Sequence, residues 1–255
     1  MKYTLITGAS KGIGRALALK YAKQNHNLIL TARNIDELRT LQNELNIKHP
    51  SILIDIIVQN LAELNGPENI FKHCNESNYQ INVLINNAGL GDFQIVSESD
   101  INKQLNMIDV NIRSLTELTI LFLPQIIESK GRVGLIASTA AFFPIPSFAV
   151  YSATKAYVKS FGVALNEEIK GAGASVTVIC PGVTKTNFFD TAGNIENKMK
   201  GSVTASPEEL AGFAYEAIGR RRACVVHGVR NNFLAQMSRF LPSSLAAKLA
   251  YKAVK

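Results

Sequence analysis

Two side chains that can exchange protons lie four residues apart in the sequence, at Tyr151 and Lys155. Residues at this spacing in an α-helix lie one above the other on the same face, so the lysine ammonium can approach the phenol. A free tyrosine has a pKa of about 10, and a fixed positive charge nearby stabilises the phenolate and lowers that pKa. The pair therefore predicts a general acid and base that works near neutral pH. Because the same spacing occurs in many helices, the prediction depends on the residues around the pair.

A glycine-rich turn lies near the start of the chain, where residues 7–14 read Thr-Gly-Ala-Ser-Lys-Gly-Ile-Gly. It follows a predicted strand and opens a predicted helix. Glycines in this place permit a tight turn and let a pyrophosphate approach the N–H groups of a helix N-terminus. The spacing differs from the Gly-x-Gly-x-x-Gly of the long dinucleotide fingerprint. We predict a dinucleotide site here, with a plain tight turn as the alternative.

The end of the second predicted strand indicates which dinucleotide is bound. An NAD enzyme commonly places Asp or Glu there to hold the ribose 2′-hydroxyl. In this chain the strand ends at Arg33, and the first acidic residue after it is Asp36. Arg33 and Lys11 could both face a 2′-phosphate, so NADP(H) is the predicted cofactor. The alternative is that Arg33 only solvates a loop.

Short apolar runs alternate with longer segments of helical period along the chain. Strands are predicted at 3–7, 28–31, 52–58, 83–86, 132–138, 176–180 and 223–227, and helices near 13–25, 35–46, 66–76, 100–128, 150–171 and 207–219. This alternation predicts a parallel sheet with helices on both faces and right-handed crossovers. The expected fold is a doubly wound, Rossmann-type α/β sheet of seven strands. We expect one domain at 1–228 and a basic tail at 229–255.

Together these elements resemble the short-chain dehydrogenase/reductase family from residue 3 to about residue 228. The order and spacing of the motifs match that family, including the thirteen residues from Ser138 to Tyr151. The motifs are residues 7–14, Asn-Asn-Ala-Gly at 86–89, Asn111 in Asp-Val-Asn, Ser138, the Tyr151–Lys155 pair, and Pro-Gly-Val-Thr-Lys-Thr at 181–186.

The resemblance implies a catalytic set of four residues and no metal. Tyr151 would exchange a proton with the substrate oxygen while hydride passes between the substrate carbon and the nicotinamide. Lys155 would lower the tyrosine pKa and hold the nicotinamide ribose. Ser138 would hydrogen-bond the substrate carbonyl and orient it. Asn111 would support a water chain that returns protons through Lys155.

The resemblance also implies a cofactor-binding set. Thr186 and the backbone after Pro181 would hold the carboxamide, and the end of the fourth strand would pack against the cofactor. Asn60 stands where many relatives carry an Asp that contacts the adenine amino group, and its amide oxygen can still accept that hydrogen bond. The full set is Gly8, Ser10, Lys11, Gly12, Ile13, Gly14, Arg33, Asn60, Asn87, Ala88, Gly89, Tyr151, Lys155, Pro181, Gly182, Val183 and Thr186.

Two segments near the predicted active site are rich in phenylalanine and poor in charge, at 142–148 and 187–205. The first would be a wall of the substrate cleft and the second a lid, which favours an apolar carbonyl or alcohol such as a steroid, terpenoid or fatty-acyl chain. The alternative is that these rings bury themselves against the domain. We therefore predict an NADP(H)-dependent oxidoreductase, with a 3-oxoacyl-thioester reductase as runner-up. A non-catalytic NADPH-sensing or scaffolding module is disfavoured, because the tyrosine, lysine and serine are all intact.

Charge is distributed unevenly along the chain. Residues 1–216 carry 19 basic and 20 acidic side chains, whereas residues 217–255 carry eight basic side chains and no acidic one. Apolar residues at 233, 234, 237, 240 and 241 fall on one helical face, which makes the tail a basic amphipathic segment. Such a segment can bind an anionic membrane or an acidic carrier protein. Docking on its own domain or on a neighbouring subunit is the favoured interpretation.

The remaining expectations concern location and partners. The three cysteines, Cys74, Cys180 and Cys224, are scattered and lack metal-binding spacing, so we expect buried thiols in a reducing compartment. No signal peptide and no membrane-spanning run is predicted, and a cytoplasmic location follows. We expect no nucleic-acid partner. The resemblance implies a homo-oligomer, a dimer or tetramer formed through the long helices.

Overall fold

The structure is a computed structural model that describes residues 1–186, Phe188, Ala192 and residues 205–254. Its strands are β1 (Lys2–Thr7), β2 (Asn27–Ala32), β3 (Ile54–Val58), β4 (Gln80–Asn86), β5 (Arg132–Ile136), β6 (Ser175–Cys180) and β7 (Cys224–Val226). Its α-helices are α1 (Gly12–Lys23), α2 (Ile35–Lys48), α3 (Gly66–Glu76), α4 (Ile101–Ile108), α5 (Leu115–Glu128), α6 (Ala149–Ile169), α7 (Pro207–Gly219), α8 (Val229–Met237) and α9 (Ser243–Val254).

The strands form one sheet in the order β3-β2-β1-β4-β5-β6-β7, and every pairing is parallel. The predicted doubly wound, Rossmann-type fold of seven strands is therefore confirmed. Successive strands run outward from β1 in one direction and from β4 in the other. The carboxyl ends of β1 and β4 thus lie at the point where the strand order reverses, which is where ligands bind in open α/β sheets.

Both faces of the sheet are buried, because alternate strand residues point to opposite sides. Leu5, Leu84 and Val178 belong to the core beneath α3, α5 and α6, whereas Ile6 and Ile85 belong to the core beneath α1, α2 and α7. A strand covered on both faces reads as a continuous apolar run, and this explains why the strands were visible in the sequence.

The predicted helix over 100–128 is interrupted. Between α4 and α5, residues Asp109–Ser114 form a turn of π-helix, which widens the helix by one residue. Asn111 lies in this turn, and its side chain bonds both backbone groups of Leu90: Nδ2 donates to the carbonyl at 2.9 Å and Oδ1 accepts from the N–H at 2.8 Å. These long-range bonds hold the bulged turn against the loop after β4.

Two short helices, α8 and α9, follow the last strand. Helix α8 packs against β7 and against the short 3₁₀ helix Thr139–Phe142 that follows β5. Among the described residues, no helix combines the length and apolar character needed to cross a bilayer. The division into a domain at 1–228 and a tail at 229–255 stays a prediction.

Candidate active site

A cleft of about 590 Å³ opens at the carboxyl ends of the strands. The loops after β1, β2, β3, β4, β5 and β6 all contribute to its lining, as expected for parallel strands whose ends meet at one edge. Of the predicted site residues, those that line the cleft are Gly8, Ser10, Lys11, Gly12, Ile13, Arg33, Asn60, Asn87, Ala88, Gly89, Ser138, Tyr151, Lys155, Pro181, Gly182, Val183 and Thr186. Gly14 and Asn111 lie behind this lining.

The glycine turn after β1 is held in a conformation that side chains would obstruct. Gly8 has φ +63° and Gly12 has φ +53°, both in the left-handed region that favours glycine. A Cβ on Gly8 would lie 2.9 Å from the Cα of Ala88. The turn therefore needs glycine both for its backbone angles and for its close contact with the loop after β4.

Asn87 and Thr7 fasten these two loops together. The Asn87 amide Nδ2 donates to the carbonyls of Thr7 at 2.9 Å and Gly8 at 3.1 Å. The Thr7 hydroxyl accepts from the backbone N–H groups of Asn87 and Ala88, each at 3.0 Å. This network fixes the shape of the turn from the side of β4, so Asn87 acts on the cofactor site as a positioning residue.

The N-terminus of α1 fits a bound anion. Helix α1 begins at Gly12, has no side-chain cap at Lys11 and has no acidic residue in its first turn. Its first N–H groups consequently keep their donor capacity and the positive end of the helix dipole faces the cleft. Glycines let a phosphate approach that end, so the local geometry suits the pyrophosphate of a dinucleotide.

The end of the cleft beside Lys11 and Arg33 already holds a carboxylate. Glu37, in the first turn of α2, accepts from the Lys11 ammonium at 2.7 Å. The Lys11 hydrogen bond is the main cause of the lowered pKa of Glu37, and hydrogen bonding by Ser10 and the charge of Arg33 act in the same direction. The groups predicted to face a 2′-phosphate thus lie next to an acidic side chain. The sequence analysis missed Glu37, although it lies four residues after Arg33.

Tyr151, Lys155 and Ser138 meet in the interior of the cleft. Helix α6 presents Tyr151 in its first turn and Lys155 one turn later, and both side chains are buried. Ser138, which follows the end of β5, lines the cleft together with Tyr151 and acts to lower the pKa of its phenol. The Lys155 ammonium donates to the carbonyl of Ile136 at 2.9 Å and lies 5.7 Å from the centre of the Tyr151 ring. The predicted catalytic trio is thus assembled on two neighbouring elements.

Burial governs the titration of this trio. Desolvation raises the pKa of Tyr151 to about 12, and the side chain of Ser138 opposes that rise. Desolvation also lowers the pKa of Lys155 to about 8. The expected lowering of the phenol pKa by Lys155 is therefore not found in this geometry. The Lys155 ammonium donates to a backbone carbonyl rather than to the phenol. For both side chains, the loss of hydration on burial has a larger effect on the pKa than their mutual interaction.

Asn111 supports the site from behind. Besides its bonds to Leu90, its Nδ2 donates to the Thr154 hydroxyl at 3.0 Å, which ties the π turn to helix α6. A Cβ on Gly89 would lie 3.3 Å from both the Asn111 Oδ1 and the Lys155 Nζ, so both polar atoms lie close to that glycine. The observed contacts make Asn111 a positioning residue, and its part in a water chain stays a prediction.

Aromatic rings form the wall beside Tyr151. Phe148 stacks on the Tyr151 ring with centroids 4.1 Å apart and an interplanar angle of 17°, and Phe188 lies 5.5 Å away on a tilted plane. Phe93, which the sequence analysis missed, packs against Phe148 at 5.5 Å. Phe142 instead lies under the Lys159 ammonium, 4.1 Å from it, and packs on the main core. Apart from Phe188, Ala192 and Ala205, the predicted lid at 187–205 lies outside the described residues.

The cysteines follow the prediction only in part. Cys74 and Cys180 are buried, but Cys224 is exposed because β7 is the edge strand of the sheet. Cys180 and Cys224 are hydrogen-bonded to each other, and this contact is the main cause of the raised pKa of Cys180. A raised pKa keeps the thiol protonated, so Cys180 has low nucleophilicity at neutral pH.

Known proteins are similar to this chain in sequence and in fold. A family model described as short chain dehydrogenase matches residues 2–197. A serine 3-dehydrogenase from Agrobacterium fabrum is 32% identical over 217 residues, which cover 83% of this chain and 85% of that protein. A short-chain dehydrogenase from Sphingobium yanoikuyae in complex with NADPH is 26% identical with a TM-score of 0.84, over 94% of each chain.

A third relative adds a bulky substrate to the comparison. The bulky-bulky ketone specific alcohol dehydrogenase from Comamonas testosteroni is 25% identical with a TM-score of 0.80, over 94% of this chain and 93% of that chain. The family model covers most of the chain, and the solved structures match it nearly end to end. The resemblance that the motifs indicated is therefore confirmed, and the chain belongs to the short-chain dehydrogenase family.

Proposed function

We propose that the chain is an NADP(H)-dependent oxidoreductase that interconverts a carbonyl and a secondary alcohol of an apolar substrate. The observation that carries the proposal is the buried Tyr151 phenol, which lines the nucleotide cleft together with Ser138 and lies one helical turn from Lys155. A proton donor fixed beside a hydroxyl is the arrangement that carbonyl reduction needs.

The cofactor is NADP(H). The uncapped N-terminus of α1 and its glycines would hold the pyrophosphate, and Lys11 and Arg33 would face the 2′-phosphate. Asn60 would face the adenine, and Thr186 with the backbone from Pro181 to Val183 would hold the carboxamide. When bound, the nicotinamide supplies the hydride. The NADPH held by the relative from Sphingobium yanoikuyae supports this assignment.

The residues of the chain supply the proton and the orientation. Ser138 would donate to the substrate oxygen and fix the carbonyl at the phenol of Tyr151. Because burial raises the pKa of Tyr151 to about 12, the phenol is protonated at neutral pH and ready to donate. Hydride transfer leaves an alkoxide, and the pKa of the corresponding alcohol is higher than that of this phenol. Proton transfer from Tyr151 to the alkoxide is therefore favourable in the direction of reduction. Lys155, with its pKa lowered to about 8, can return a proton near neutral pH.

The substrate class follows from the wall of the cleft. Phe148, Phe188 and Ile145 line it beside Tyr151, and apolar walls favour apolar groups on the substrate carbon. The relative from Comamonas testosteroni, named for bulky-bulky ketones, supports this choice. The serine 3-dehydrogenase favours a small polar substrate instead. We favour the ketone, because the described aromatic residues Phe93, Phe148 and Phe188 form an apolar cluster with Tyr151.

A homo-oligomer and a cytoplasmic location are part of the same proposal. Leu105 on α4, Ile120 on α5 and the pair Tyr157 and Val163 on α6 are all exposed large apolar side chains on the long helices. Apolar surface of this kind is typical of a contact between subunits. Sedimentation velocity of the full chain would show a species larger than a 27.8 kDa monomer if this contact forms.

The test of the function is NADPH oxidation over a panel of carbonyls. The panel contains a bulky aryl ketone, a 3-oxoacyl thioester and a small polar aldehyde, and L-serine with NADP⁺ tests the reverse direction. We expect the highest kcat/KM for the bulky ketone, with NADPH preferred to NADH. A higher value for the thioester would assign the runner-up activity. NADPH binding without turnover of any substrate would instead indicate a non-catalytic binding module.

A further inference from the structure

Helix α8 exposes its large apolar side chains and buries a small one. Its buried residue is Ala235, whereas Val229 is 90% exposed and Phe233 is 64% exposed. Residues at 229, 233 and 237 lie on one face at helical spacing, and Ala235 lies on the opposite side. Leu234 and Met237 are exposed beside them. The large apolar side chains therefore point away from the domain, which the favoured docking of this face on the domain did not predict.

Helix α9 repeats this arrangement after the turn at Pro242. Ala246 is its buried contact, and Leu245 and Leu249 are exposed one turn apart. Lys248 and Lys252 are exposed on the same side. Phe240, between the two helices, is 81% exposed. We call these outward residues of α8, α9 and the turn between them the tail surface: Val229, Arg230, Phe233, Leu234, Met237, Phe240, Leu245, Lys248, Leu249 and Lys252.

The charge of this surface has one sign. Residues 217–255 contain no acidic side chain. Arg220 pairs with Glu216 of α7 at 3.4 Å, and Arg221 donates to backbone carbonyls of Gly173 and Lys130. Within the described part of the chain, no such ion pair involves Arg230, Lys248 or Lys252. The cations of the tail surface are thus available to an anionic partner.

The tail surface is connected to the cofactor cleft. Asn231, on the inner side of α8, donates to the carbonyl of His227 at 2.9 Å and fills the space that a Cβ on Gly182 would need. Gly182 lines the cleft. Helix α8 also contacts Thr139–Phe142, directly after Ser138. The helix that carries the tail surface therefore packs on its inner side against the lining of the cleft.

We propose that the tail surface binds the surface of an anionic lipid bilayer. Large apolar side chains next to lysine and arginine are the composition of interfacial helices, whose apolar face enters the headgroup boundary while the cations meet anionic lipids. A second copy of the chain is a poor occupant, because a twofold contact would set cations against cations. An acidic protein would need a matching apolar groove, whereas a bilayer accepts any arrangement of protruding rings.

The experiment is co-sedimentation of the full chain with vesicles at about 0.1 M salt, where the Debye length is about 10 Å. One vesicle contains phosphatidylcholine with phosphatidylglycerol, and the other contains phosphatidylcholine alone. The variants are Phe233→Ser with Phe240→Ser, and Lys248→Glu with Lys252→Glu. The matched control is Ile47→Ser with Leu64→Ser, which removes two apolar side chains of similar exposure, 82% and 77%, from another part of the surface.

The wild type and the control should bind the anionic vesicles, and neither should bind pure phosphatidylcholine. Each tail variant should bind the anionic vesicles at least about tenfold more weakly than the wild type. The phenylalanine variant loses apolar area that is buried in the headgroup boundary, and the lysine variant replaces two attracted cations by two repelled anions. Reduction of a water-dissolved ketone should be unchanged in all variants. Wild type that stays unbound, or a phenylalanine variant that binds like wild type, would overturn the proposal. A change of oligomeric state in that variant without vesicle binding would overturn it in favour of a second copy.

Discussion

Replacing Lys155 by methionine should stabilise the ligand-free protein at neutral pH. The side chain is 4% exposed, and burial lowers its pKa from 10.5 to about 8. At pH 7 the fold must therefore hold a charged ammonium that has lost most of its hydration. This shift corresponds to roughly 3 kcal/mol, since one pKa unit is worth about 1.4 kcal/mol. Methionine has a similar length and no charge, but it leaves the Ile136 carbonyl without this donor, which costs about 1–2 kcal/mol.

The pH dependence is the sharper part of this prediction. The folded-state pKa of Lys155 lies below the unfolded value, so the unfolded chain binds more protons between pH 8 and pH 10.5. The free energy of unfolding of the wild type should consequently rise with pH in that window. From pH 7 to about pH 9.5 the rise amounts to roughly 2 kcal/mol. The methionine variant lacks this proton, so its stability relative to the wild type should fall by that amount.

The assay is urea unfolding followed by circular dichroism, without nucleotide and at one protein concentration. The difference between wild type and variant at each pH cancels the titrations that both proteins share. Lys159→Met, one turn later on α6, is the matched control, because it keeps Lys155 and should keep the wild-type rise. A difference between wild type and Lys155→Met that does not change from pH 7 to about pH 9.5 would refute the reasoning.

Four further substitutions test the cofactor end and the backbone. Gly8→Ala places a Cβ on a residue with φ +63°, 2.9 Å from the Cα of Ala88. The variant should have a free energy of unfolding lower by more than about 1 kcal/mol and should bind NADPH more weakly. An unchanged NADPH Kd would contradict this. Gly212 lies in α7, and a Cβ there would have no atom within 4 Å. Gly212→Ala should therefore raise the free energy of unfolding, measured with urea, by about 0.5–1 kcal/mol. A lower free energy of unfolding would contradict the helical conformation at this position. Arg33→Ala should raise the NADPH Kd about tenfold, since a charged hydrogen bond is worth about 1.5–3 kcal/mol. The NADH Kd should stay within about twofold of the wild-type value. An equal rise of both Kd values would show that Arg33 does not discriminate between NADPH and NADH. Glu37→Gln, which removes the carboxylate bound to Lys11, should tighten NADPH binding in a fluorescence titration, and weaker binding would show that Glu37 organises the site instead.

Much of the fold was predictable because its strands are covered on both sides. Leu28, Ile29 and Leu30 of β2 are fully buried, and such a run is visible in sequence without any partner. The break in the helix over 100–128 was not predictable, because its cause lies outside the helix. Asn111 bonds the backbone of Leu90, and nothing in the local sequence announces that contact.

The candidate site divides in the same way. The resemblance of the motifs to the family predicted that Ser138, Tyr151 and Lys155 would meet, and the ends of parallel strands do converge on one edge. The directions of the pKa shifts of Tyr151 and Lys155 depend on burial, and the Lys155 ammonium bonds the Ile136 carbonyl. Neither feature can be predicted from the spacing of the residues. Phe93 was missed because an aromatic residue in a loop carries no periodic signal. The signal that could have identified Phe93 is its position four residues after Gly89, the last residue of the Asn-Asn-Ala-Gly motif.

The measurement that tests the central claim most directly is the reduction of a bulky ketone by Tyr151→Phe. Phenylalanine keeps the ring stacked on Phe148 and removes only the phenol hydroxyl. NADPH binding should stay within about twofold of wild type, while kcat should fall by about 10²–10⁴-fold, the range that a positioned general acid contributes. A variant that binds NADPH and retains a kcat within about threefold of wild type would show that the proton comes from another group, and would contradict the mechanism.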